Sequence, residues 1–304
     1  MTASRRGFLK LGGALLAAGC APGGAPRERR VPVVDAHVHC FAGPDDPRFP
    51  YHERAPYRPD EAAPPERLLS LMDAAGVDYA VVVHPEPYQD DHRYLEHVLD
   101  AGRGRLKGTC LFFADRPRAI EEMRALARRR PEVAAVRIHA YAPERLPPFG
   151  RPEFAAFWKA AADLGLAVQL HFEPRWAAGF EPYLREFPGV RVLVDHLGRP
   201  LQGTPEEHER VVRWSERERT WIKLSSLAPP TQYPHRDLGP VVRRVAAAYG
   251  AGRLLWGGGF DARATAESYR AARERARALV AHLSAAEQAE VLGGTAAKLF
   301  GFAA

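Results

Sequence analysis

Cysteine is scarce in this chain of 304 residues, which holds only Cys20, Cys40 and Cys110. That is too few for a disulfide framework, and neither Cys40 nor Cys110 sits in a metal-binding spacing. Long apolar runs are missing as well: Leu11 to Gly19 is short and weakly apolar, too short to span a bilayer as a mature helix. Charge of one sign is not in large excess. The formal charge of +6 arises from 43 Lys and Arg against 37 Asp and Glu. The basic residues recur among Ala, Leu or Glu, as in Arg124 to Arg130 and Arg270 to Arg277, without interleaved aromatics. Such stretches read as solvated helix faces, so no nucleic-acid partner is expected. There is no Gly-rich dinucleotide fingerprint and no Ser nucleophile elbow. Gly257-Gly258-Gly259 lacks the helix start and the Lys of a phosphate loop.

What is present begins with Ser4-Arg5-Arg6-Gly7-Phe8-Leu9-Lys10, a twin-arginine pattern ahead of the short apolar stretch. Residues 1–20 therefore read as an export signal, and setting Arg5, Arg6 and Lys10 aside lowers the charge from +6 to +3. Leu16-Ala17-Ala18-Gly19-Cys20 resembles a lipobox with its Leu one place early, which makes Cys20 a candidate lipidation site and lipid anchor. Ordinary cleavage near Ala21 is the other reading. The expected location is the periplasm or its membrane surface. Residues 21–30 are rich in Pro, Gly and charge and read as a flexible tether. The rest, 31–304, reads as the folded part; the whole chain is 46% hydrophobic and 26% charged, a composition able to bury one large core.

From Val31 onward, β-branched apolar runs alternate eight times with segments of helical periodicity. The strands are predicted at 31–39, 79–85, 106–114, 134–141, 167–173, 191–197, 220–227 and 253–260. The helices are predicted at 65–75, 92–101, 116–130, 153–164, 179–187, 205–216, 238–249 and 264–279, with a closing helix at 285–299. Eight such units without a second composition predict a single (β/α)8 TIM barrel in the α/β class.

Catalytic groups of such barrels sit at the C-terminal strand ends. His37, His39, His84, His139, His171 and His196 all fall there. His37 and His39 are two residues apart, so strand alternation turns both imidazoles inward, as ligands of a borderline cation such as Zn²⁺ require. These residues stand within a wider set of motifs. Val34-Asp-Ala-His-Val-His39, Val136-Arg-Ile-His139, Leu170-His171, Val194-Asp-His-Leu-Gly-Arg-Pro200, Arg253-Leu-Leu-Trp-Gly257 and the 293–301 segment together resemble the second type of amidohydrolase family. That family includes 2-pyrone-4,6-dicarboxylate lactonases, sugar-acid lactonases and amino-carboxymuconate semialdehyde decarboxylases. The resemblance implies that His37, His39 and His171 ligate a divalent metal, that His196 acts in acid/base work, and that Arg137 grips a substrate carboxylate. A structural ion pair is the other reading of Arg137.

One departure stands out. The family ends its eighth strand Trp-Gly-Ser-Asp, whereas this chain reads Trp256-Gly-Gly-Gly259-Phe-Asp261. Asp261 shares the face of the lost carboxylate but lies on the order of 6.6 Å farther along an extended chain. It can serve as shifted base and metal ligand if the glycines let the backbone curl. Otherwise His196 or Glu173 is the base, or hydrolysis is lost and the barrel only binds ligand. His84, Tyr88, His139, Ser225, Tyr233 and His235 are candidate pocket residues, with Ser226 as a further hydrogen-bond donor. The expected reaction is hydrolysis of a carboxylate-bearing lactone, with or without metal, by a chain that resembles relatives commonly arranged as homodimers. Decarboxylation of an aromatic or enoic acid, with His196 protonating carbon, is the alternative.

Overall fold

The computed structural model describes residues 30–227 and 237–303. The expected signal and Cys20, as well as Tyr233 and His235, lie outside them. Eight parallel strands follow one another around the sheet in sequence order: β1 (Val34–Val38), β2 (Tyr79–Val83), β3 (Leu106–Leu111), β4 (Val133–Ala140), β5 (Ala167–Phe172), β6 (Val192–Val194), β7 (Thr220–Leu224) and β8 (Leu254–Trp256). β8 packs against β1, so the sheet nearly closes. Helices α1 (Pro65–Ala75), α2 (Arg93–Ala101), α3 (Ala119–Arg129), α4 (Pro152–Asp163), α5 (Ala177–Glu186), α6 (Pro205–Arg213), α7 (Gly239–Tyr249) and α8 (Ala266–Leu279) surround it. This is the predicted single (β/α)8 barrel. The strands are apolar on both faces because one face lines the interior and the other packs on the helices. No helix among the described residues is long and apolar enough to cross a membrane.

The interior is layered, and strand periodicity sets the layers. At the bottom, Val34, Ala36, Val81, Ala135, Ala167, Leu193 and Leu255 pack against Phe300 and Phe302. Two residues further along the same strands the side chains turn polar: Arg137 follows Ala135, Gln169 follows Ala167, and Asp195 follows Leu193. All three are buried. Another two residues along, His139 and His171 stand opposite each other on β4 and β5. Polarity thus rises toward the C-terminal ends, where the mouth lies.

The predicted strands are present but end earlier, most visibly at β8, which stops at Trp256 rather than at Phe260. The cause is close approach: a Cβ on Gly257 would lie 2.7 Å from the His37 nitrogen. Beyond it, the Gly258 and Gly259 amides leave the ladder and donate to the Asp35 carboxylate at 2.8 and 2.9 Å. The closing helix is broken into α9 (Ala285–Ala289), a π turn (Glu290–Gly294) and α10 (Thr295–Phe300). A Cβ on Gly293 would fall 1.8 Å from the Pro32 carbonyl oxygen, so only glycine lets the plug reach the chain entering β1.

Candidate active site

β1 shifts register against β2 between Asp35 and Val38. His37 and His39 converge, with their Nε2 atoms 3.2 Å apart. The His39 Nδ1 atom lies 2.8 Å from the Val83 carbonyl oxygen, so it must carry the proton and donate. His39 Nε2 is then an acceptor, and His37 Nε2 donates to it. That leaves His37 Nδ1 to accept from the Lys223 ammonium at 3.4 Å.

Beneath the imidazoles lies a buried charge cluster centred on Asp195. Its Oδ2 accepts from Arg137 Nε at 3.0 Å and from Gln169 at 3.0 Å, and Arg137 Nη2 lies 2.9 Å away. Its Oδ1 is 3.4 Å from both Lys223 Nζ and His37 Nδ1. Burial acts to raise the Asp195 carboxyl, but the Lys223 ammonium and the Arg137 guanidinium hold it well below the usual carboxylate range. Burial lowers the Lys223 ammonium to about 8 despite the pull of Asp195. Arg137 is therefore an interior ion-pair partner, and its guanidinium is committed to Asp195 rather than to a substrate.

After β6 the chain takes four left-handed residues in succession, His196 (φ 55), Leu197 (φ 56), Gly198 (φ 70) and Arg199 (φ 53). Three are not glycine, a strained run of the kind that persists where surroundings impose it. It sets the His196 ring 4.7 Å from that of His37 and 5.2 Å from that of His171. His196 Nδ1 lies 2.8 Å from Ser225 Oγ and 2.9 Å from Ser226 Oγ. Arg199 reaches over the Tyr141 ring at 5.9 Å and makes no ion pair among the described residues. Burial is the main cause of lowered basicity in all the clustered imidazoles: His39 and His196 are pushed down to about 3, and His37, His139 and His171 also fall. These rings are neutral at ordinary pH.

Other expected residues are placed elsewhere. Asp261 is exposed, and its carboxylate accepts from the Arg263 amide at 2.8 Å. The glycines do curl the backbone, but toward Asp35, so Asp261 does not join the histidines. Glu173 is held by Arg175 at 2.5 Å. His84 is fully buried, its ring tilted against that of His92 at 4.4 Å, with Nε2 donating to the Gln89 carbonyl at 3.0 Å. The hydroxyl of buried Tyr88 accepts the Ala42 amide at 2.8 Å, which ties down the loop after β1. Both stand behind the mouth because the short turn Glu86–Tyr88 swings Glu86 inward instead.

A family model described as Amidohydrolase matches residues 34–302. The chain belongs to the amidohydrolase family. It is 28% identical to a 4-sulfomuconolactone hydrolase of Rhizobium radiobacter, over 79% of this chain and 82% of that protein. It is 29% identical to an L-fucono-1,5-lactonase of Burkholderia ambifaria, over 74% and 78%. A probable 2-pyrone-4,6-dicarboxylic acid hydrolase of Acinetobacter baumannii shares the fold with a TM-score of 0.71 at 22% identity, covering 89% of this chain and 99% of that one. An amidohydrolase of Burkholderia multivorans with bound Zn shares it with a TM-score of 0.70 at 16% identity, covering 90% and 100%.

For an amidohydrolase, the donor set fits a divalent ion in part. His37 and His39 would hold it, once the His37 proton moves to Nδ1, where Asp195 accepts it. His171 is not drawn into a compact set with them. The group of three that is compact among the described residues is His37, Asp195 and His196, whose ligand atoms lie within 4.8 Å of one another. Asp195 there already balances Arg137 and Lys223, and no strand-eight carboxylate is added.

Asp195, Lys223 and Glu86 escaped the reading of the sequence. For the first two the signal was present: Lys223 is a lone charge inside an apolar strand and Asp195 directly follows one, each on the inward period of its neighbours. Lys223 also leaves a trace in stability. Between about pH 8 and 10.4 the unfolded chain keeps the lysine proton that the folded chain has released, so stability rises with pH in that window. Thermal melts of Lys223→Met from pH 7.5 to 10.5 should lack that rise relative to the parent; an unchanged pH profile would contradict the buried ammonium.

Proposed function

We propose that this amidohydrolase opens a lactone bearing an anionic group, with the histidine-lined mouth as its active site. The observation that carries the reading is the combination at that mouth of neutral, convergent imidazoles with Arg199, a half-buried guanidinium without an ion pair among the described residues. Neutral imidazoles can accept a proton from water, and a planar guanidinium suits a carboxylate or sulfonate. Arg199 takes over the anchoring role that the sequence suggested for Arg137. The two relatives named as lactone hydrolases support this reaction class. A divalent ion, zinc by the same family reasoning, would polarise the lactone carbonyl when bound at His37 and His39. The Arg5-Arg6 segment supports an exported enzyme.

A panel of lactones with and without a carboxylate or sulfonate, assayed by acid release with and without added zinc, tests the reading. Turnover confined to the anionic lactones is expected. Arg199→Gln should raise KM by at least about tenfold with a smaller change in kcat, since the anchor binds ground and transition states alike. Glycine at 259, where the resemblance expects a carboxylate, favours one competing outcome, ligand binding without turnover, and calorimetry on the same panel would reveal it. Release of CO2 from aromatic or enoic acids would replace hydrolysis by decarboxylation.

A further inference from the structure

The strand-eight carboxylate is gone, and most acidic groups near the mouth are engaged otherwise. Asp35 accepts the amides of His37, Gly258 and Gly259 at 3.0, 2.8 and 2.9 Å. Asp195 balances Arg137 and Lys223. Glu173 is paired with Arg175, and Asp261 caps an exposed turn. Glu86 differs from these. It is 6% exposed, and its Oε1 lies 2.8 Å from His139 Nδ1. Tyr141 donates to its Oε2, and Arg145 lies 3.2 Å from its Oε1.

We infer that Glu86 and His139 form a carboxylate–imidazole pair that removes the proton from the attacking water, in place of the missing strand-eight carboxylate; this rests on the lactonase reading above. The placement follows from the barrel. His139 is two residues beyond Arg137 on the inward face of β4 and faces His171 across the register, rings perpendicular at 5.2 Å. With Glu86 ionised, Nδ1 carries the ring proton and Nε2 keeps its lone pair. Both ring nitrogens are buried and without an aligned hydrogen bond among the described residues; Nδ1 meets Glu86 as an ion-pair contact at 2.8 Å, and Nε2 has no partner. His139 and Glu86 both line a cavity of about 490 Å³, with Gln89, Arg116, Arg145 and Phe112, on the β3–β4 side of the mouth, a lining that does not include His37, His39, His196 or Arg199. His196, the other candidate, has two serine hydroxyls at Nδ1, and the nearest carboxylate, Asp195, makes no hydrogen bond or ion pair with it among the described residues.

The step balances without a co-reactant. A water proton passes to His139 Nε2 as the water oxygen bonds to the lactone carbonyl carbon, and the carbonyl electron pair moves to its oxygen. Collapse breaks the ring C–O bond, and the departing oxygen takes the proton from the imidazolium. One water is added and the ring is open. Glu86 stabilises the imidazolium meanwhile, as an orienting carboxylate does for a catalytic histidine. Burial acts to raise the Glu86 carboxyl, but His139, Tyr141 and Arg145 together bring it down to about 2, so the anion persists.

Two measurements on the full chain test this. Long-range 1H–15N NMR of the imidazoles should find His139 with the proton on Nδ1 in the parent and a mixture of tautomers in Glu86→Gln; a proton on Nε2 in the parent overturns the inference. On the lactone the parent hydrolyses, His139→Ala should lose about 10²- to 10⁴-fold in kcat and regain part of it with added imidazole, which a structural role would not produce. His139→Gln is the second variant should the alanine chain fail to fold, with the same loss expected. Parental kcat in either overturns the inference. If the parent opens no lactone while His139 shows the expected tautomer, the lactone reading falls and the poised pair stands.

Discussion

Asp195→Asn is expected to be among the most damaging single changes in this barrel, lowering stability by about 3–5 kcal/mol. The carboxylate is fully buried and is the counter-charge for two buried cations, Arg137 and Lys223. An amide there leaves both without compensation, and an interior charge that loses its partner costs far more than the pair contributes when intact. For a domain of this size the loss corresponds to roughly 10 °C in Tm. The pH dependence has a fixed sign. The folded carboxyl is held well below its unfolded value, so its contribution is complete above about pH 3.9 and disappears only as pH falls through the folded value. Parent and variant should differ throughout the neutral range and converge only in strong acid. Asp195→Asn/Lys223→Met removes one orphaned cation along with the acid, so it should be more stable than Asp195→Asn alone. Chemical denaturation of the four chains as a double-mutant cycle measures this. A Tm within 2–3 °C of the parent for Asp195→Asn, on the order of 1 kcal/mol, would mean that the cluster is solvated rather than sealed.

This cluster also marks where the sequence could and could not be read. The eight alternations were legible because every strand and helix carries its own period, and the barrel follows from counting them. His37 and His39 were legible for the same reason, since two residues on one strand share a face whatever the rest of the chain does. The Arg137–Asp195 pair spans 58 positions and reaches across the interior from β4 to the end of β6, with β5 between them. Nothing local distinguishes a guanidinium aimed at a substrate from one aimed at a carboxylate across the interior. Glu86 was hidden differently. It follows the predicted end of its strand, and the turn between Pro85 and Pro87 decides which way it faces. Asp261 was judged by distance along an extended chain, but Gly258 has φ 92 and the backbone leaves the strand there. Its amide finds Asp35, a residue 223 positions away. The same event explains both the short eighth strand and the exposed aspartate.

The glycine where the resemblance expects an aspartate is built into the packing, and Gly259→Asp should therefore destabilise the protein. A Cβ at 259 would lie 2.3 Å from Cδ2 and Cε2 of Tyr269, a fully buried ring on α8, and 3.3 Å from Asp35 Oδ2. The ring would have to move within a close-packed interior, and overpacking of that kind costs about 1–3 kcal/mol. The new carboxylate would also meet a buried acid whose oxygens already serve three backbone amides. Burial already raises the Asp35 carboxyl, so a second negative charge beside it has no partner. Together these terms place the expected loss at about 3 kcal/mol or more. Tyr269→Ala alone should also destabilise, by opening a cavity, at about 3–5 kcal/mol by analogy with other large aromatic truncations. Because Gly259 and Tyr269 share one volume, the double variant should lose less than the sum of the two single variants, and thermal melts of the three chains give the coupling directly. Strict additivity, or a Gly259→Asp chain as stable as the parent, would mean that the ring has room to move and that glycine at 259 is incidental. A coupled result would mean that reinstating the aspartate requires removing the tyrosine with it, because Tyr269 and Asp35 now fill the space where that carboxylate would stand.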